Sequence, residues 1–88
     1  MKLLDSIKQL FNRHRVLKSD PCDLFKADRV PIYTTKAIGL IKGLNIESVN
    51  QLTMHRPHEL AALPEVGWGT VGYIGSCLAR HGLRLKHD

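Results

Sequence analysis

The sequence predicts an all-α fold: a compact bundle of short helices, preceded by an N-terminal amphipathic helix. Three observations carry this. Apolar residues recur at helical spacing over residues 3–17 and again over residues 71–81. No stretch of useful length alternates apolar and polar residues as a strand would. Breakers such as Pro21, Pro31, Gly43, Pro57, Pro64, Gly67 and Gly82 cut the remainder into short segments.

The first helix places Leu3, Ile7, Leu10, His14 and Leu17 on one stripe, which Leu4 and Phe11 widen. Lys2, Lys8, Arg13 and Arg15 lie largely off it. Three roles fit such a stripe: docking on the rest of the chain, self-association as a homodimer through residues 3–17, or lying on a membrane surface. The cluster Ser19-Asp20-Pro21-Cys22-Asp23 breaks the helix, and residues 23–27 can form one further turn. Val30-Pro31-Ile32-Tyr33 reads as extended, because a proline biases its predecessor away from helix. The chain therefore divides near residue 30, into an N-terminal helix and linker over residues 1–30 and a helical domain over residues 31–88. In that domain Thr34 or Thr35 is the expected N-cap of a helix burying Ile38, Leu40 and Ile41. Gly43 is its expected left-handed stop. Ser48 caps a short helix over residues 49–52, and Pro57 opens another, with Leu60 and Leu63 facing inward. The last helix is expected from about Gly69 to His81, with Val71, Ile74, Leu78 and His81 on one face. Its second face, Gly72, Gly75, Ser76 and Ala79, is smooth enough for another helix to cross closely. Gly82 ends it, and Leu83 and Leu85 fold back. The segment Ile41–Val49 loosely echoes Leu63–Val71, a weak internal repeat.

The chain of 88 residues carries a net charge of +5. This favours an anionic partner, with nucleic acid first and anionic lipid second. The charge is spread rather than blocked: residues 1–30 hold seven Lys/Arg against four Asp, and residues 31–88 hold six against four acids. Any electrostatic footprint is therefore weak. Cys22 and Cys77 stand alone, without the paired spacing of a zinc site, so no metal or other cofactor is expected. His55 and His58 read as a solvated turn rather than a metal site. Free thiols, and charges that interrupt any export-signal pattern after Met1, point to a reducing cytoplasm. No apolar run is long enough to span a membrane.

The segment most charged with meaning is Leu60-Ala-Ala-Leu63-Pro64-Glu65-Val66-Gly67-Trp68-Gly69-Thr70-Val71. It reads as a short helix, a tight turn plugged by Val66, and a second helix. Gly67 and Gly69 leave backbone N–H groups uncovered at that helix start, where unpaired donors and a partial positive charge can hold a phosphate. Thr70 adds a hydroxyl. The pattern resembles a helix-hairpin-helix, a module that grips nucleic-acid backbone. A turn that serves packing alone fits the same residues. Trp68 has three readings: a cover for the hairpin, a protein-contact anchor, or a group stacked against nucleic acid.

From about Val30 to Leu85 the chain resembles the C-terminal domain of the bacterial RNA polymerase alpha subunit, as a free-standing relative. The matching residues are Thr35-Lys36, Leu40-Ile41-Lys42, Asn45-Ile46, Val49, Leu52, Glu59-Leu60, Pro64, Gly67, Thr70, Ile74 and Leu78-Ala79-Arg80-His81-Gly82-Leu83. The resemblance implies a compact helical domain with two helix-hairpin-helix-like units. It implies binding to the minor groove of A·T-rich DNA, and contact with RNA polymerase or a transcription regulator. Lys36 stands where the family has a minor-groove Arg, and Gly39 where it has an Asn. Trp68 and Gly69 replace a basic pair, while Gly67 and the hydroxyl of Thr70 are kept.

These readings make the chain a small DNA-binding module acting in transcription or its regulation. Its contact residues are Lys36, Gly39, Lys42, Gly67, Trp68, Gly69 and Thr70, and most contacts are to phosphate. The alternative is a protein-interaction adaptor of the same fold, which contacts itself or the transcription machinery and binds DNA weakly or not at all. No nucleophile-and-base or paired-carboxylate grouping sits at usable positions, so an enzyme is not expected.

Overall fold

The structure, a computed structural model, describes residues 13–87. All regular structure among them is helical. Residues 13–17 are helical, and a 3-10 turn spans Pro21–Phe25. Then follow α1 (Pro31–Gly43), α2 (Val49–Thr53), α3 (Pro57–Ala61) and α4 (Gly67–Ala79). The two long helices, α1 and α4, pack on each other. The 3-10 turn and α3 close the sides. Leu52, Leu60, Ile74 and Leu78 are fully buried at the centre. The expected stripe over residues 3–12 lies outside the described residues. Its last members differ from one another: Leu17 packs against the core with Val16, whereas His14 is exposed.

The 3-10 turn begins two residues before the turn expected over residues 23–27. The Asp20 carboxylate accepts the Cys22 N–H at 2.9 Å, and Pro21 sets the first helical angle. This places Leu24 and Phe25 in the core, with the Phe25 ring stacked on Tyr73 at a centroid distance of 5.5 Å.

Helix α1 also starts earlier than Thr34. Pro31 occupies its first position, where a missing N–H costs nothing and the fixed φ favours the turn. Only Val30 is extended. Thr34 is buried instead of capping. Its hydroxyl accepts the Val30 N–H at 3.2 Å and lies 2.7 Å from the Tyr73 hydroxyl, which donates to the Asp28 carbonyl at 2.6 Å. This chain of hydrogen bonds, the Arg80–Asp28 ion pair and the buried Phe25 cross the boundary expected near residue 30. Packing shows no break there. Residues 16–30 belong to the same core as the helices that follow.

The buried side of α1 is Thr34, Ala37, Leu40 and Ile41, with Ile38 only half-buried. The stop expected at Gly43 falls two residues later. Asn45 takes the left-handed angle (φ 54°), and its N–H bonds to the Lys42 carbonyl while that of Ile46 reaches Ile41. This is a Schellman ending, with Asn tolerated where glycine is commonest because its short polar side chain adopts that angle readily. Ser48 caps α2 as expected, accepting the Gln51 N–H at 3.2 Å, while the Gln51 side chain returns to the Glu47 N–H at 2.6 Å. The tail is held by the Lys86 N–H on the His55 carbonyl and by buried Leu85.

Helix α4 buries Thr70, Val71, Tyr73, Ile74, Cys77 and Leu78. His81, expected on this face, is exposed beyond the helix end. Among the described residues no helix crosses the smooth face: a Cβ added at Gly72 or Gly75 meets nothing within 4 Å. The close approach is at Gly69, where a Cβ would lie 2.9 Å from the Tyr33 ring. That contact joins the start of α4 to the start of α1.

Candidate nucleic-acid interface

The turn between α3 and α4 is built from backbone geometry. Leu60 ends α3 in the core, and Val66 is buried between the helices, as its position as the turn's apolar residue predicts. Glu65 and Gly67 flank it with positive φ angles of 65° and 70°. Glycine adopts this angle freely, whereas Glu65 holds it at a cost of about 1–2 kcal/mol. Two left-handed residues around one buried valine reverse the chain in a short space.

The first turn of α4 follows at once. Gly67, Trp68 and Gly69 are exposed. Val66 supplies no side-chain cap, and the first turn holds no acidic residue. The leading N–H groups of a helix have no partner within it, and their dipole favours an anion. α1 likewise starts without a side-chain cap or an acid in its first turn. The Tyr33–Gly69 contact brings these two helix starts side by side.

Lys36 is exposed on α1 and lines a groove of about 480 Å³ with Gly39, Leu63, Pro64, Glu65 and Val66. The structure therefore brings Lys36 and Gly39 to the hairpin. Two other expected contact residues sit differently. Lys42 is exposed beside Gly43 and Leu44, which line the same groove, and its charge also reaches Cys22. Burial pushes the Cys22 thiol up, Asp20 adds to the rise, and the Lys42 charge pulls against it. Thr70 is wholly buried, and its hydroxyl has no hydrogen-bond partner among the described residues. At its place in α4 the side chain turns into the core with Val71 and Ile74, so it offers no hydroxyl to a phosphate in this conformation.

Trp68 is 56% exposed. Its ring meets His58 of α3 edge-to-face, with centroids 5.0 Å apart. It leans on the hairpin without covering it. His55 pairs with Glu59 at 3.4 Å, and no cluster of metal-ligating side chains occurs among the described residues. No described helix is long and apolar enough to cross a membrane. Burial raises the thiol of Cys77, packed within α4, while its contact with Tyr73 works the other way.

Sequence reasoning missed one grouping. Arg13, Arg15, Arg80 and His81 line a common cleft at the other end of α4. These residues come from segments separated by more than sixty positions in the chain, so composition records their charge but not their meeting. No protein-family model matches this chain, and no curated protein or solved structure is significantly similar to it.

Proposed function

We propose that this chain is a small helical module that binds duplex DNA through backbone contacts and acts in transcription or its regulation, as its resemblance to the polymerase alpha C-terminal domain implies. The observation that carries this reading is the paired, uncapped starts of α1 and α4, joined by Tyr33 and Gly69 and flanked by Lys36. Backbone N–H groups and one cation suit phosphate oxygens. With Thr70 buried, phosphate neutralisation at this end rests on Lys36, with Lys42 further along α1. Binding is expected to be weak and dependent on groove shape rather than base edges, with A·T-rich duplex preferred.

An amide-shift titration with A·T-rich duplex at low salt tests the reading. The expected result is perturbation of Gly67, Trp68 and Gly69. Lys36→Ala should weaken binding and flatten the salt dependence by about one phosphate's slope, roughly 0.9 log units of affinity per log unit of salt.

A second reading, a protein-interaction adaptor, is favoured by the groove itself. Its wall includes Leu44, Leu63 and Pro64, and a Cβ at Gly39 or Gly43 meets nothing within 4 Å, so a partner backbone can come close. Exposed Trp68 is a suitable anchor beside it. RNA polymerase or a transcription regulator is the partner class that the resemblance implies. Duplex that shifts no amide anywhere in the chain, even at low salt, selects this adaptor over the DNA module.

A further inference from the structure

We infer a second phosphate-binding surface, the cleft at the C-terminal end of α4 lined by Arg13, Arg15, Arg80 and His81, which takes the nucleic-acid backbone. The inference rests on the duplex-binding reading for its ligand class, but it uses none of the hairpin residues.

The cleft joins the described start of the chain to the end of α4. Val16 and Ser19 form its floor with Ala79 and Gly82. Ser19 is already occupied, its hydroxyl donating to the Val16 carbonyl at 2.6 Å. Among the described residues no acidic side chain lines the cleft. The Asp28 carboxylate is engaged by Arg80 at 2.8 Å. Arg13 and Arg15 make no ion pair among the described residues.

A helix C-terminus is a negative dipole end, and that accounts for one cation here. The Arg13 stem lies across Gly82, its Cδ 3.2 Å from where a Cβ would sit. The last carbonyls are satisfied internally: Gly82 donates to Ala79 at 3.0 Å, and Leu83 to Leu78 at 3.0 Å. Arg15 and His81 are then surplus to helix capping, yet both are exposed on the same cleft. Guanidinium groups match phosphate oxygens in a planar fork. Nucleic-acid backbone is favoured over an acidic protein segment by the duplex-binding reading and by the chain's net charge of +5. At about 1.5 Å per residue along α4, the cleft lies roughly 18 Å from the hairpin, within one turn of duplex, which is about 34 Å. The spacing along α4 is therefore short enough for one duplex, and the titration below reads whether both ends respond together.

The test uses the full chain and an A·T-rich duplex, read by amide shifts and by affinity against salt. The expected result is perturbation of His81 and Gly82 together with Gly67 and Gly69. Arg15→Glu alters an exposed side chain and should leave the fold intact. Arg13→Met keeps a stem over Gly82 while removing the charge. Each should weaken binding severalfold and flatten the salt slope by about one phosphate, with the hairpin shifts retained. Lys36→Ala should do the reverse, diminishing hairpin shifts and sparing those at His81 and Gly82. Duplex that perturbs the hairpin alone overturns the cleft and leaves the hairpin reading standing. Perturbation of the cleft alone keeps the cleft and removes the hairpin. Inorganic phosphate that shifts His81 and Gly82 where duplex does not would make the ligand a free anion and overturn the backbone assignment. Poly-glutamate that shifts them where duplex does not would move the site to a protein partner and overturn it equally.

Discussion

Four glycines of α4 show how little a residue's type says without its surroundings. Gly72 and Gly75 face open space inside a helix, where glycine costs about 0.5–1 kcal/mol relative to alanine. Gly72→Ala and Gly75→Ala should each raise stability by about that amount in a denaturant melt. Gly67 sits at φ 70°, and Gly67→Ala should cost about 1 kcal/mol or more. Gly69→Ala requires the Tyr33 ring, which its Cβ would meet at 2.9 Å, to move aside, so it should gain less stability than Gly72→Ala or lose some. Equal effects at all four sites would contradict this division. Trp68 is a separate case. An exposed ring in one edge-to-face contact contributes about 0.5–1.5 kcal/mol through that pair. Trp68→Ala should therefore melt close to the parent, and a loss of several kcal/mol would mean the ring is packing rather than a contact surface. The turn around Val66, with Gly67 beside it, is readable in the sequence because Pro64, Val66 and Gly67 each have one obvious use there. The burial of Thr70 is not, since a threonine four residues into a helix faces core or solvent according to the rotation of that helix.

Element boundaries follow from caps, and the misread boundaries are those where a cap has two meanings. Pro31 can extend its predecessor or open a helix. The structure uses both, with Val30 extended and α1 begun at once. Thr34 and Thr35 look like caps in sequence, but a cap matters only where a helix start lacks one, and Pro31 had already supplied the start. At the other end of α1, Gly43 is the conspicuous stop, yet Asn45 carries the left-handed angle. The deciding feature is Ile46, which must return to the core against Ile41 and does so only with the reversal placed at residue 45. Ser48 and Pro57 have one meaning each, and both fall where expected. The caps predict distinct costs. Ser48→Ala removes an acceptor for the Gln51 N–H and should lose about 1 kcal/mol. Asn45→Gly keeps the left-handed angle without strain and should be neutral or stabilising, whereas Asn45→Ala should destabilise. Thermal melts of the three variants check the order, and Asn45→Ala matching Asn45→Gly would place the reversal elsewhere.

For the whole molecule, the decisive question is where the folding unit begins. Sequence alone suggests residue 31, because the breakers around Pro21 and Pro31 resemble a linker and the apolar stripe before them resembles a separate arm. The structure moves the boundary upstream. Phe25 is 1% exposed against Tyr73, Leu24 is buried, and the Ser19 carbonyl accepts the Val49 N–H at 3.0 Å. Such contacts between distant segments are invisible to local pattern reading, since neither partner is near the other in the chain. Their energetic weight is large for so small a protein. Loss of a buried Phe costs about 3–5 kcal/mol, and total stability at about 0.05–0.15 kcal/mol per residue is only a few times that for a chain of this size. A chain lacking residues 1–30 should therefore fail to melt cooperatively. A chain lacking only residues 1–12 retains every described core contact and should keep a cooperative transition. Calorimetry on the two truncations checks this, and a fragment of residues 31–88 as stable as the full chain would restore the boundary at residue 30. Sedimentation of the shorter truncation addresses self-association in the same experiment. Leu17 already packs on its own core, which removes one residue from any stripe shared between two chains. If the remaining apolar positions pair two copies, removing residues 1–12 should halve the sedimenting mass while leaving the transition in place. An unchanged mass with a lowered melting temperature would instead mean that those residues dock on the chain to which they belong.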